Sequence, residues 1–103
     1  MADADKIWAY RLRQARTAAG ISQRQLGIDA GIDDFVASSR INRYEQGVHE
    51  PDYLTAKNLA KALGVSAAFF YAAEDEIADL IFRYGRAKPG DKQKIKRLLS
   101  ALQ

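Results

Sequence analysis

Glycine residues divide this chain into short segments, and their positions constrain the fold more than any other feature of the sequence. Gly20, Gly31, Gly47 and Gly64 each follow a segment whose apolar residues recur at helical spacing. A glycine just past a helix readily adopts the left-handed backbone that ends it. No alternation of Val, Ile and Thr is long enough to indicate a sheet. The sequence therefore predicts an all-α fold.

Residues that can cap helices mark the starts of the segments. The first helix is expected over about Asp5 to Ala19. Ser22-Gln23-Arg24-Gln25 fits a capping box, in which the serine accepts from the third amide and the last glutamine reaches back, so a second helix should run from here to about Ala30. Further caps are expected at Asp33 or Asp34 for a third helix, at Asp52 for a fourth and at Ser66 for a short fifth turn.

The apolar positions of these helices define an expected core. Residues spaced three, four and seven apart lie on one face of a helix, and that face turns inward. The inward residues are expected to be Trp8, Leu12, Ala15 and Ala19 in the first helix, Ala37, Ile41 and Tyr44 in the third, Leu54, Leu59, Ala60 and Leu63 in the fourth, and Phe69 and Phe70 in the fifth.

The character of the chain changes at Glu74, where two amphipathic segments begin. Lys88-Pro89-Gly90-Asp91 separates them. Either both apolar stripes pack back on the core as a helical hairpin, or at least one forms a dimer interface, since a stripe indicates burial without identifying the partner. The stripes are Ile77, Leu80, Ile81 and Tyr84 in one segment and Ile95, Leu98, Leu99 and Leu102 in the other.

The bulk composition bounds the classes of protein that the chain can belong to. With 103 residues and 48% hydrophobic content, it can bury one core, and no run approaches the roughly 20 apolar residues that span a bilayer. The N-terminus is acidic where a secretory signal is basic, so we expect a cytoplasmic protein without membrane contact. There is no cysteine, one histidine (His49), no glycine-rich phosphate loop and no metal-spaced cluster, so we expect no enzyme, no metal and no cofactor.

Charge is unevenly distributed along the chain. The net charge of +3 is compatible with a polyanionic partner but identifies none. Residues 29–79 carry ten acidic against four basic side chains, whereas residues 83–97 carry seven basic against one acidic. Any contact from the middle of the chain to such a partner must therefore come from a few placed residues. The acidic run Glu74-Asp75-Glu76 with Asp79 is interpreted as a helix N-terminus that favours negative charge, because it lacks the oxygen spacing of a calcium loop.

The third helix, near residues 37–46, has a polar outward face. If its apolar residues point inward, a rotation of 100° per residue places Ser39, Asn42, Arg43 and Gln46 outward. A major groove admits a helix, and in it Arg can bond guanine, Asn or Gln can pair with adenine, and Ser can serve either base. The alternative is a solvated helix face.

Residues 12–70 as a whole resemble the Cro-repressor-like, or XRE, family of helix-turn-helix regulators. The resemblance implies a lambda-repressor-like five-helix DNA-binding domain over residues 5–73, with residues 74–103 as a C-terminal helical extension that can dimerise. The matching pieces are Leu12-Arg13-Gln14-Ala15-Arg16, Gly20-Ile21-Ser22-Gln23, Leu26, Ala30-Gly31-Ile32, Ile41-Asn42-Arg43-Tyr44-Glu45-Gln46-Gly47, Pro51 and Leu59-Ala60-Lys61-Ala62-Leu63-Gly64-Val65-Ser66.

The resemblance also suggests roles for individual residues. Its base-reading positions fall on Ser38, Ser39 and Arg43, and its phosphate contact at the start of the second helix falls on Gln23, where helix amides also favour anions. Arg16 and Glu45 match a pair that joins the first and third helices. Together with the outward face, the resemblance suggests the following contacts: Ser38, Ser39, Asn42 and Arg43 to bases, Gln23, Arg40 and Gln46 to phosphates, and Arg16 with Glu45 as a structural ion pair.

The chain departs from the family at one place. Between Gly31 and Ile41 it has about four residues more than the common spacing, with Asp33-Asp34-Phe35-Val36 as the region concerned. We expect an enlarged turn that Phe35 or Val36 anchors to the core. The two carboxylates should repel phosphate unless they cap the third helix.

The expected function is a sequence-specific double-stranded DNA-binding transcriptional regulator. We expect a repressor and a homodimer, with helix three of each subunit in successive major grooves of a pseudo-palindromic operator. The alternative is an antitoxin with a protein toxin as its partner, or another protein-interaction module that retains the fold.

Overall fold

A computed structural model describes residues 6–102, and within that range the chain contains α-helices and a 3₁₀ helix but no strand. The all-α prediction is thus confirmed. Asp5, the expected start of the first helix, lies outside the described residues. The helices are α1 (Ile7–Ala19), α2 (Gln23–Asp29), α3 (Asp34–Glu45), α4 (Tyr53–Leu63), the 3₁₀ helix (Ala67–Tyr71), α5 (Asp75–Arg86) and α6 (Pro89–Ala101).

The expected caps begin four of these elements. Ser22 accepts from the amide of Gln25, and Asp33, Asp52 and Ser66 accept in the same way at the starts of α3, α4 and the 3₁₀ helix. The second half of the capping box is wrong. The Gln25 side chain instead donates to Asp29 Oδ1 at 2.7 Å, because a partner one turn ahead on the same helix face is a charged acceptor.

The core lies between α1, α2, α3, α4 and the 3₁₀ helix. Most of the expected inward residues are buried, and the fully buried large apolar side chains come one from each of the four helices: Leu12, Leu26, Ile41 and Leu59. Leu54 is a wrong prediction, since 65% of it is exposed and Ala56 faces the core instead. Leu54 and Leu59 are five residues apart, which is not a one-face spacing. Ala19, at the end of α1, is also exposed.

A buried arginine, which the sequence analysis did not single out, joins α1 to the start of α5. Only 1% of Arg11 is exposed, and its Nε donates to Ala72 O at 2.9 Å. Its Nη2 donates to Ala73 O at 3.2 Å and to Asp75 Oδ1 at 3.0 Å. The guanidinium therefore satisfies backbone carbonyls that the chain exposes as it leaves the 3₁₀ helix.

The two C-terminal helices differ in how they contact the core. On α5, Ala78 is buried, and the Phe82 ring lies 5.7 Å from that of Phe69. On α6, no residue is buried. Among residues 6–102, no helix is long and apolar enough to cross a bilayer. The stripe predicted on α5 is largely not its packed face, since Ile77 is 44% and Leu80 58% exposed and only Ile81 of that stripe packs against the core. The hairpin interpretation is therefore wrong for α6 and for most of the α5 stripe, and the division into 5–73 and 74–103 stays a prediction.

Candidate nucleic-acid interface

Helices α2 and α3 pack so closely that they form one rigid unit. A Cβ atom at Gly27 would lie 2.6 Å from the Ala37 Cβ and 3.0 Å from its Cα, which is closer than carbon atoms can approach. The connection includes Gly31 with φ +88°, and the amide of Ile32 donates to the carbonyl of Gly27 at 2.9 Å. Glycine at 27 and alanine at 37 thus permit this close approach of the two helices.

The segment Asp33-Asp34-Phe35-Val36 begins α3 and does not form the enlarged turn expected from the sequence. Helix α3 begins at Asp34, three residues or just under one turn before Ala37, and only residues 30–33 connect it to α2. Phe35 is completely exposed and Val36 is 42% exposed, so the prediction that one of them anchors a loop to the core is wrong. As the first turn of a helix, this segment satisfies its backbone without tertiary anchoring.

The two carboxylates of this segment are both occupied within the protein. Asp33 caps α3 by accepting from the amide of Phe35 at 2.9 Å. Asp34 accepts two hydrogen bonds from Arg24, at 2.7 and 2.8 Å, in a fork-to-carboxylate pair. The hydrogen bonds from Arg24 lower the pKa of Asp34 below its usual value. The repulsion of phosphate expected from these acids is thereby offset.

The outward face of α3 is polar and open, as the periodicity predicts. Ala37, Ile41 and Tyr44 are buried. The Ser39 hydroxyl donates within the helix to Val36 O at 3.1 Å. The exposed residues on this face are Ser38, Ser39, Asn42, Arg43 and Gln46.

The predicted ion pair between Arg16 and Glu45 is present and holds α3 against α1. Arg16 donates through Nε to Glu45 Oε2 and through Nη2 to Oε1 at 3.0 Å, while its Nη1 donates to Ile21 O at 2.9 Å. The hydrogen bond from Arg16 to Glu45 raises the pKa of Arg16. Only 3% of the Glu45 side chain is exposed, so a charge that would be costly to bury alone is compensated.

Gln23 extends this ion pair to the outward face of α3. Its Nε2 donates to Glu45 Oε1 at 3.1 Å and to Asn42 Oδ1 at 3.3 Å. Because a carboxylate can only accept, Gln23 must turn its NH₂ group toward Glu45, and Asn42 then presents its own NH₂ group outward. Sequence reasoning assigned both residues to DNA but missed this link, which no periodicity within one helix reveals.

Arg40 is set apart from the other candidate DNA contacts. It is half-buried, and its Nη2 donates to the Tyr44 hydroxyl at 2.8 Å while the guanidinium lies over the same ring. Arg43, by contrast, is exposed, and among residues 6–102 its guanidinium donates no hydrogen bond comparable to that of Arg40. Of the two arginines, Arg43 is the one that extends freely from α3.

The acidic run after the 3₁₀ helix lies at a helix N-terminus, as interpreted from the sequence. Asp75 and Glu76 are in the first turn of α5. Across residues 6–102, no three His, Cys, Asp or Glu side chains are grouped closely enough to hold a metal ion.

Two short helices locked at a fixed angle, the second of which exposes a polar face, define a helix-turn-helix domain, a class of DNA-binding fold. The comparison with protein families agrees: a helix-turn-helix family model matches residues 12–70. The chain belongs to this helix-turn-helix family, of the XRE type.

A solved structure with the same fold is that of the transcriptional regulator BswR. The two chains are 41% identical, with a TM-score of 0.84, and the alignment covers 90% of this chain and 92% of that one. The alignment therefore extends beyond residue 70 into the C-terminal helices. Among curated proteins, no sequence matches this chain.

Proposed function

We propose that this protein is a sequence-specific double-stranded DNA-binding repressor that inserts α3 into the major groove. The family and the 41% identical transcriptional regulator support a DNA-binding regulator and not an enzyme. The observation that carries the proposal is the exposed polar face of α3 on a rigid unit. Positioned donors at a helix surface discriminate base edges when their backbone is fixed. With DNA as its partner, the protein is proposed to act in the cytoplasm.

The proposed role of each side chain on this surface follows from the hydrogen-bond donors that it does not use within the protein. Arg43 is proposed to read a base with its fork, Ser38 and Ser39 to bond neighbouring base edges, and Asn42 to donate from its outward NH₂ group. Gln23, Arg40 and Gln46 are proposed to contact phosphates. Since both amide hydrogens of Gln23 are bonded within the protein, its phosphate contact is assigned to the backbone amide in the first turn of α2.

The function is tested by selecting bound sequences from random duplex DNA and then measuring affinity across a salt series. We expect one selected sequence and a slope of about −0.9 per phosphate contact. Arg43→Ala should lose about 1–3 kcal/mol on the selected site and relax preference at one base pair. Lys57→Ala is the matched control, because it removes one exposed positive charge from α4. Binding that ignores salt, or no binding at low salt, would exclude the function.

A homodimer formed through α5 and α6 is the proposed assembly. The two helices leave an open apolar groove of about 740 Å³, lined by Leu80, Ile81, Tyr84, Ile95 and Leu99. The helices also carry complementary charges, with acidic residues at the start of α5 and basic residues along α6. A second copy that packs antiparallel would bring opposite charges together. The acidic residues are Glu74 and Glu76, and the basic ones are Lys88, Lys92, Lys96 and Arg97; Asp79 and Lys94 are already paired within their own helices, with Arg83 and Asp91.

Dimerisation also suits the proposed recognition of DNA. One helix-turn-helix unit contacts only a few base pairs, and two units on half-sites about 34 Å apart supply specificity against a genome. The selected sequence should therefore be a pseudo-palindrome. If the protein instead sediments as a monomer both free and on DNA, the same groove favours the alternative function, an antitoxin whose partner is a protein toxin.

A further inference from the structure

Phe35 is the only completely exposed large apolar side chain among residues 6–102, and it lies in the first turn of α3. A phenyl ring gains more from burial than almost any other side chain. Its position in the helix is fixed, because Asp33 caps the amide of Phe35 itself. The ring is therefore presented to solvent by an ordered backbone.

Phe35 shares a helix face with the proposed DNA contacts. Residues four and seven positions apart lie on one side of a helix, so Phe35, Ser39 and Asn42 form a continuous stripe. All three are exposed. The ring thus extends the proposed DNA-binding face by one turn toward the N-terminus of α3. In helix-turn-helix proteins, the N-terminal residues of the recognition helix contact base edges.

The charges beside Phe35 permit an approach to DNA. Asp33 is bonded to the backbone, and Asp34 is paired with Arg24 through two hydrogen bonds. The pair also fixes the first turn of α3 to α2. A phenyl ring cannot pair with a donor or acceptor, and the apolar group that base pairs present in the major groove is the C5-methyl group of thymine.

We propose that Phe35 is a specificity-determining residue that contacts the methyl group of a thymine in the operator. The proposal rests on the proposed DNA-binding function. It assigns a base contact to Phe35, a residue to which the helix-turn-helix family match gives no role. A second copy of the chain is not the proposed occupant, because the apolar groove and the complementary charges lie on α5 and α6.

The test replaces each thymine of the selected operator, one at a time, with deoxyuridine, which removes only the methyl group. For the full-length wild-type protein, one replacement in each half-site should weaken binding about fourfold, the factor for burying one methyl group. Phe35→Ala should bind the thymine and the uracil operators equally. Val36→Ala is the matched control, since it shortens the neighbouring exposed side chain, and it should retain the difference.

The outcomes separate this inference from the proposed function. Because Phe35 is completely exposed, Phe35→Ala should unfold at the wild-type temperature, so a change in affinity reports on DNA contact. A wild-type protein that binds its operator but tolerates every uracil replacement overturns the inference, as does a Phe35→Ala variant that stays equally sensitive to uracil. Failure to select any sequence overturns the proposed function itself.

Discussion

The contact between Gly27 and Ala37 makes a quantitative prediction about stability. In Gly27→Ala, the new Cβ would meet the Ala37 Cβ at 2.6 Å and its backbone at 3.0 and 3.1 Å, so α2 and α3 must separate. Overpacking of this kind lowers the free energy of unfolding by about 1–3 kcal/mol, and the higher helix propensity of alanine than of glycine offsets about 1 kcal/mol of this loss. The net loss in the free energy of unfolding should reach up to about 2 kcal/mol, with each kcal/mol lowering Tm by about 4–8 °C.

The chain offers a matched control for this substitution. Gly85 is also helical, but a Cβ there would meet no atom within 4 Å. Gly85→Ala should therefore be neutral or stabilise by about 0.4–1 kcal/mol. Urea and thermal denaturation of both variants, followed by circular dichroism, make the comparison. If Gly27→Ala proves as stable as Gly85→Ala, the close approach does not set the packing of α2 on α3.

Three further outcomes are expected. Arg11→Met should lower the free energy of unfolding by about 1–3 kcal/mol, because buried carbonyls lose their donor, and Arg11→Lys should recover only part of it in urea denaturation. Hydrogen bonds from Thr55 lower the pKa of Asp52, so the Asp52 cap should stabilise the protein above pH about 3.8, and this stabilisation should be lost as the pH falls through the folded-state pKa. In an acid titration, Asp52→Asn should therefore lose less of its free energy of unfolding than the wild type does. An equal loss in the two proteins would contradict the prediction. Leu99→Glu should sediment as a monomer at micromolar concentration, whereas the variant at its exposed neighbour, Ser100→Glu, should remain a dimer. If both variants had the same oligomeric state, α6 would not be the interface.

Much of the fold could be predicted from the sequence because its signals are local. The caps at Ser22, Asp33, Asp52 and Ser66 each require only a side chain and an amide two or three residues ahead. The buried stripe of α3 likewise follows from helical geometry. For the same reason, the exposed polar face could be named from its spacing and from the family resemblance.

The errors concern contacts that spacing within one segment does not determine. Apolarity suggested that Phe35 anchors a loop, but the backbone there continues α3, and the ring has no neighbouring surface to pack against. Nothing in the local pattern indicates that Arg11 is buried, because a charged residue in a helix is usually solvated. Its burial depends on carbonyls 61 and 62 residues away. The link from Gln23 to Asn42 also joins two elements.

The extra turn of α3 has a consequence for how this protein could diverge from its relatives. Four added residues are close to the 3.6 residues of one helical turn, so the insertion leaves the angular phase of Ala37, Ile41 and Tyr44 almost unchanged. It also lies outside the contact between Gly27 and Ala37. Insertions of whole turns at this end can therefore change the reach of the helix in steps of about 5.4 Å without repacking the core. Under the proposed function, this end of α3 is a position at which such insertions would change which bases are recognised.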